Sequence, residues 1–176
     1  MRKLILIMGI FSALFGGKAK AQSTEEKYKP VLNDLNAEQI EFIKNKSKQA
    51  SEFVAKYSEF KKEGIMEFQY LDASIENWKN ADQKSREKTE EVIDMIGALF
   101  GQTLSEKLNF EWQLITDQYG TDFTVIDKKY FVNGFPFSSV QKSVLEYRPN
   151  ALSEIYELIR EQLKKAKESG EVDERN

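Results

Sequence analysis

Residues 89–127 read TEEVIDMIGALFGQTLSEKLNFEWQLITDQYGTDFTVID, and within them the hydrophobic period changes from 3.6 to 2. From Thr89 onward, Val92, Met95, Ile96, Leu99, Leu104 and Leu108 form one long apolar face of a helix. Gly97 and Gly101 stand four residues apart on one side of it. An interior glycine costs about 1 kcal/mol relative to alanine, so the pair calls for close backbone approach, helix against sheet. The spacing also suits helix dimerisation in a membrane, but charged residues bracket the segment too closely for that. Phe110, Trp112, Leu114 and Thr116 then alternate with Glu111, Gln113, Ile115 and Asp117. Tyr119-Gly120 turns the chain, and Thr121–Asp127 resumes an extended pattern with Phe123 and Val125 on one face. The stretch predicts a helix followed by a β-hairpin over 110–127.

Downstream, Tyr130–Val132 is a candidate third strand ending at the turn dipeptide Asn133-Gly134. Pro136 lacks an N–H donor and stops any ladder. Ser138, with Gln141 in the reciprocal position, predicts the cap of a helix that turns Val140, Val144 and Leu145 inward. Pro149-Asn150 opens the last helix, with Leu152, Ile155, Tyr156, Ile159 and Leu163 on one side; Lys164–Asn176 is polar and expected to fray.

Upstream, Asn36 and Gln39 have the spacing of a capping box. Ile40, Ile43, Ala50, Val54 and Tyr57 follow as a core-facing stripe, and Gly64 is a plausible helix end. Ile65–Leu71 fits either a short strand or the start of the next helix, which Ile75 and Trp78 continue. Lys79–Lys88 is a charged interruption that reads as solvated loop and carries no site. The expected organisation is one α+β domain over 36–168: a small antiparallel sheet packed against several helices. A linker over 22–35 containing Pro30 precedes it, and a disordered polar tail over 169–176 follows.

The first 21 residues predict an address. Met1-Arg2-Lys3 is a positive start, Leu4–Phe15 is uncharged and mostly apolar, and Ala19-Lys20-Ala21 supplies the small-x-small pattern of a cleavage site before Gln22. The apolar run is shorter than the ~20 residues a spanning helix needs. A cleavable signal peptide over 1–21 implies export through the inner membrane to the periplasm or the medium. Its removal takes away Arg2, Lys3, Lys18 and Lys20 and no acid, moving the net charge from −3 to −7. So acidic a chain is not built for nucleic acid, and no other segment is apolar enough to cross a bilayer.

The chain has no cysteine and no histidine. Thiol nucleophiles, thiolate or imidazole metal ligands and histidine-based triads are thereby excluded, and no cofactor is expected. Carboxylate chemistry, a lysine-activated serine or an oxygen-ligated calcium or magnesium ion remain.

Several residues carry a resemblance. Gly97-Ala98-Leu99-Phe100-Gly101, Trp112, Gly120 and Pro136-Phe137-Ser138-Ser139-Val140-Gln141-Lys142, in the order helix, hairpin, proline turn and helix, resemble the bacterial domain-of-unknown-function 3806 family from about Leu71 to Leu163. The resemblance implies a compact α+β domain without an assigned catalytic function, and it brings no functional residue with it. It does not extend over Asn36–Gly64.

Among candidate sites, Asp117 and Asp122 flank the hairpin turn, and Glu111 and Asp127 its open end. Facing acids could divide into acid and base as in glycosidases, although Asp at a turn more often accepts backbone N–H groups. Residues 117–122 lack the acidic density of a calcium loop. Ser139 and Lys142 have serine–lysine spacing but none of the accompanying motifs. The aromatic cluster Tyr130, Phe131, Phe135 and Phe137 is the better candidate recognition surface, with core packing as its competitor. The leading functional expectation is a non-enzymatic envelope or secreted protein-interaction domain, of inhibitor or immunity kind, whose partner is another envelope protein. The alternative is a carbohydrate binder or a carboxylate-dependent glycan hydrolase.

Overall fold

The computed structural model describes residues 29–61, 66–146, 148–170 and 172. The proposed signal peptide, Gly64 and the last four residues lie outside that range. In chain order the elements are β1 (Val31–Asn33), α1 (Ala37–Tyr57), α2 (Phe68–Asn80), α3 (Thr89–Leu108), β2 (Glu111–Asp117), β3 (Gly120–Asp127), β4 (Val132–Gly134), α4 (Pro136–Glu146) and α5 (Ala151–Ser169). The sheet is antiparallel throughout, in the order β1-β2-β3-β4. The architecture is α+β, with a small sheet packed against several helices, and no helix among the described residues is long and apolar enough to cross a membrane.

α3 is the centre of the molecule. Val92, Ile96, Phe100 and Leu104 recur every fourth residue with no exposed surface, and every residue from Met95 to Gly101 is buried. Each large apolar side chain so enclosed contributes about 1.5–3 kcal/mol. Ala50, Phe53 and Val54 of α1 and Leu71, Ile75 and Trp78 of α2 join it in a single core, to which α5 adds Leu152, Ile159 and Leu163. The two glycines serve two contacts. A Cβ on Gly97 would lie 2.5 Å from Phe137 Cδ1 of α4; one on Gly101 would overlap the Trp112 ring of β2 and lie 2.7 Å from Pro136 Cγ. Helix meets sheet at Gly101, as expected, whereas Gly97 admits a second helix. α3 ends where Asn109 adopts a left-handed conformation, φ 58°, which asparagine tolerates better than most residues.

The hairpin lies where the alternation places it, with Trp112 opposite Val125 and Leu114 opposite Phe123. Asp117 pairs with Gly120, so Gln118 and Tyr119 form the turn and Gly120 follows it at φ +130°, a value open mainly to glycine. The Asn36–Gln39 capping box is present in both directions, each bond 2.9 Å. Residues 66 and 67 lead into α2, which begins at Phe68, while Ile65 lies outside the described residues.

Several expectations need correction. The linker assigned to 22–35 includes β1, which pairs with β2 at the sheet edge, Leu32 opposite Ile115. Three extended residues have no periodicity of their own, and the partner strand alone defines them. The third strand starts later than expected: Tyr130 and Phe131 lie in the turn, and Asn133-Gly134 sits inside β4, where Gly134 pairs with Val125. α4 begins at Pro136 rather than at a Ser138 cap; proline suits the first helical position because its missing N–H needs no partner there. The Ser139 amide donates to the Phe135 carbonyl. Leu145 and Ile40, both expected inside, are 63% and 54% exposed. α5 continues as helix to Ser169 rather than fraying from Lys164.

The charged stretch after α2 is not simply solvated. The Trp78 indole N–H donates to the Glu87 carbonyl (3.1 Å), and Arg86 stacks over the Trp78 ring while donating to the Lys79 carbonyl (2.7 Å). Glu87 accepts from Lys56 Nζ (2.7 Å) and the Tyr57 hydroxyl (2.8 Å), tying the loop to α1. Burial pushes the Glu87 carboxyl up, but the hydrogen bonds from Lys56, its own backbone amide and Tyr57, with the Lys56 charge, outweigh it and the net value lies below the ordinary 4.5. A carboxylate with a depressed folded pKa stabilises above its unfolded pKa and loses that stabilisation as pH falls through the folded one. The stability advantage of wild type over Glu87→Gln should therefore hold at neutral pH and shrink below about pH 4.5. Urea midpoints of the two proteins across that range check this, and a constant difference would refute it.

Candidate functional site

The candidate recognition residues are dispersed into structural roles. Phe137 packs with Phe123, Phe42 and Trp112, ring centroids 5.2, 6.0 and 6.1 Å away. Tyr130 packs against the core with Lys129 Nζ 5.1 Å above its ring. Phe131 sits in the turn before β4 at φ 52°, and Phe135 lends its carbonyl to the start of α4. The core thus takes up much of the aromatic surface that the sequence offers for recognition.

The acids do likewise. Asp117 Oδ1 accepts the Tyr119 amide (2.7 Å), as a turn aspartate does. Asp122 Oδ1 accepts the Phe123 amide (2.7 Å), and its Oδ2 accepts the Ser138 hydroxyl (2.7 Å). Glu111 pairs with Ile126, so Asp127, one residue on, points to the other face of the sheet. Asp127 accepts the Tyr130 amide (3.0 Å), while Glu111 meets Lys128 Nζ (2.8 Å). Among the described residues no three Asp or Glu side chains converge to hold a metal ion. Ser138 thus joins the first turn of α4 to β3 and places a carboxylate near the helix N-terminus, a favourable arrangement with the helix dipole. Ser138→Ala should lose about 1 kcal/mol. A double-mutant cycle with Asp122→Asn should recover most of that loss as coupling, and additive losses would show that the contact contributes nothing.

A concave feature among the described residues lies elsewhere, where α1, α3 and β2 meet. A groove of about 410 Å³ is lined by Leu35, Ile40, Ile43, Lys44, Ser47, Gln102 and Trp112. Local structure explains its α1 wall. Residues 40, 43, 44 and 47 have the i, i+3, i+4, i+7 spacing of one helix face. Leu35 and Ile40 occupy the positions before and four after the Asn36 cap, where apolar residues staple a helix start. The far wall is Trp112, whose ring lies against Gly101 and meets Phe123 edge-on at 6.4 Å. Two polar atoms of these wall residues, Trp112 Nε1 and Ser47 Oγ, are shielded from solvent and have no hydrogen-bond partner among the described residues. An unsatisfied buried group costs about 1–3 kcal/mol.

Sequence reasoning placed Trp112 in the alternating strand and in the family motif, with no site role, and read Ile40 as core. An apolar residue at the capping-staple position beside Lys44 and Ser47 was the available signal, but α1 had to be packed on α3, with Trp112 across from it, before it meant anything.

The fold and groove define a helix-rich α+β domain with a recessed, largely apolar surface site. Residues 71–156 match the family model described as Domain of unknown function (DUF3806), the family that the sequence motifs resemble. The match covers α2 through the first turns of α5, including both α3 glycines, Trp112 and the Pro136–Lys142 segment. α1, which supplies most of the groove's other wall, lies outside it. No curated protein and no solved structure matches the chain.

Proposed function

We propose that this chain is an exported, non-enzymatic protein-interaction domain of the cell envelope or the extracellular medium, of inhibitor or immunity kind. The export part rests on the positive start, apolar run and Ala19-Lys20-Ala21 pattern of residues 1–21. The binding part rests on one observation: Ile40 stands 54% exposed on the wall of a groove that also contains Trp112. Exposed apolar residues bordering an aromatic recess suit a protein contact. The competing carbohydrate-hydrolase reading needs two convergent acids, whereas Asp117 and Asp122 bond to backbone amides and Ser138, away from the groove lining.

Two measurements test the proposal. N-terminal sequencing of the protein from its own envelope or medium should begin at Gln22, and a start at Met1 would reject export. A photo-reactive side chain at position 40 should cross-link one discrete protein there, while the same group at Leu145 should not. Equal labelling from both positions, or from neither, would reject the binding role.

A further inference from the structure

We infer that the α1–β2 groove receives an acidic–apolar segment of its partner protein. A bulky apolar side chain seats between Ile40, Ile43 and Trp112, and neighbouring carboxylates pair with Lys44 and Lys48. The inference rests on the protein-binding reading above and specifies its chemistry.

Charge points to the sign of the partner. The chain is acidic overall, net −3 as it stands, yet the groove lining holds one cation and no anion. Lys44 and Lys48 are exposed and one helical turn apart. Among the described residues neither has an ion-pair partner, while Lys46 meets Asp94 at 3.6 Å and Lys56 meets Glu87 at 2.7 Å on the same helix. Lys44 on the recess wall and Lys48 one helical turn further along α1, on a protein with acids to spare, complement an anionic occupant.

The orphaned polar atoms specify the rest. An indole N–H can only donate, and a serine hydroxyl can donate as well as accept. Neither Trp112 Nε1 nor Ser47 Oγ has a partner among the described residues. An extended peptide supplies acceptors to both, as backbone carbonyls and carboxylates, once the rim yields enough to admit it. A volume of about 410 Å³ suits one or two large side chains rather than a folded surface.

The chain contains two tryptophans, which gives the test an internal control. In a nitrogen-15 spectrum of the labelled protein, the Trp78 indole is already bonded to the Glu87 carbonyl, whereas the Trp112 indole is free to change. The probe is the blocked peptide acetyl-Glu-Glu-Phe-Leu-Glu-Glu-amide, with its Lys-for-Glu counterpart as control. The Trp112 indole signal should move saturably downfield with the acidic peptide, while the Trp78 signal stays and the basic peptide has no effect. Lys44→Glu combined with Lys48→Glu should weaken binding about tenfold, since it replaces two exposed attractions with repulsions. A Trp112 signal unmoved at millimolar acidic peptide, an equal response to the basic one, or both indoles moving together would overturn the inference. The cross-link from position 40 separates the two readings. If it survives the double lysine variant undiminished, protein binding stands and the acidic segment is wrong; if there is no cross-link at all, both fall.

Discussion

Gly101→Leu is expected to destabilise the protein by about 3 kcal/mol, the upper end of the range for overpacking a core. The reason is the identity of the obstructing atoms. Even the Cβ of the new side chain would overlap the Trp112 ring, and it would lie 2.7 Å from Pro136 Cγ. An aromatic ring wedged among Phe123, Phe137 and α3 cannot swing aside as a flexible side-chain end would, and a proline ring at a helix start has little freedom. Relief must come from moving β2 or α4 away from α3, which opens the centre of the core. A urea midpoint lowered with an unchanged slope checks this. Because Trp112 is also a groove wall, the variant should lose the peptide response of the Trp112 indole. An unchanged midpoint would show that the ring has room elsewhere.

Asp72→Ala is expected to cost about 2–3 kcal/mol, more than an ordinary cap, because charge-assisted bonds are lost in a buried setting. Asp72, on α2, is 7% exposed and accepts the amides of Leu152 (2.9 Å) and Ser153 (3.0 Å) and the Ser153 hydroxyl (2.6 Å). It therefore caps α5 from another helix, since Asn150 adopts a left-handed conformation and supplies no side-chain cap of its own. Burial pushes the Asp72 carboxyl above its ordinary value, against the pull of those hydrogen bonds. A raised folded pKa gives stability that is fully present in acid and declines as pH rises through the raised value, opposite in sign to Glu87. Alanine leaves two amides near the α5 start without acceptors, so the loss should appear in the urea midpoint, and weakened amide protection should concentrate in the first turn of α5. A loss below about 0.5 kcal/mol would mean that water replaces the carboxylate at little cost.

The groove and the capping aspartate differ from the hairpin in how far apart their parts lie along the chain. Asp72 and Leu152 are 80 residues apart, and nothing in either neighbourhood announces the other. Ser138 shows the same limit from the opposite side. Its spacing to Gln141 is a sound local cap signal, yet Pro136 starts the helix earlier and the hydroxyl turns to Asp122, 16 residues away, on β3. A local motif states what a side chain can do with its own backbone; the tertiary fold offers it another partner, and the shorter, charge-assisted bond forms.

From the sequence alone, α3 was determined by its apolar row, the hairpin by strict alternation, the start of α1 by the Asn36–Gln39 box, and the α+β class by the switch between periods at Asn109–Phe110. All of these depend on residues a few positions apart, whose geometry the backbone itself sets. Only the tertiary structure decided that Val31–Asn33 is a strand, that Gly97 serves α4 while Gly101 serves β2, and that Ile40 borders a recess instead of filling the core. These depend on segments brought together across long stretches of chain, where packing against a distant partner, and not local propensity, selects the conformation.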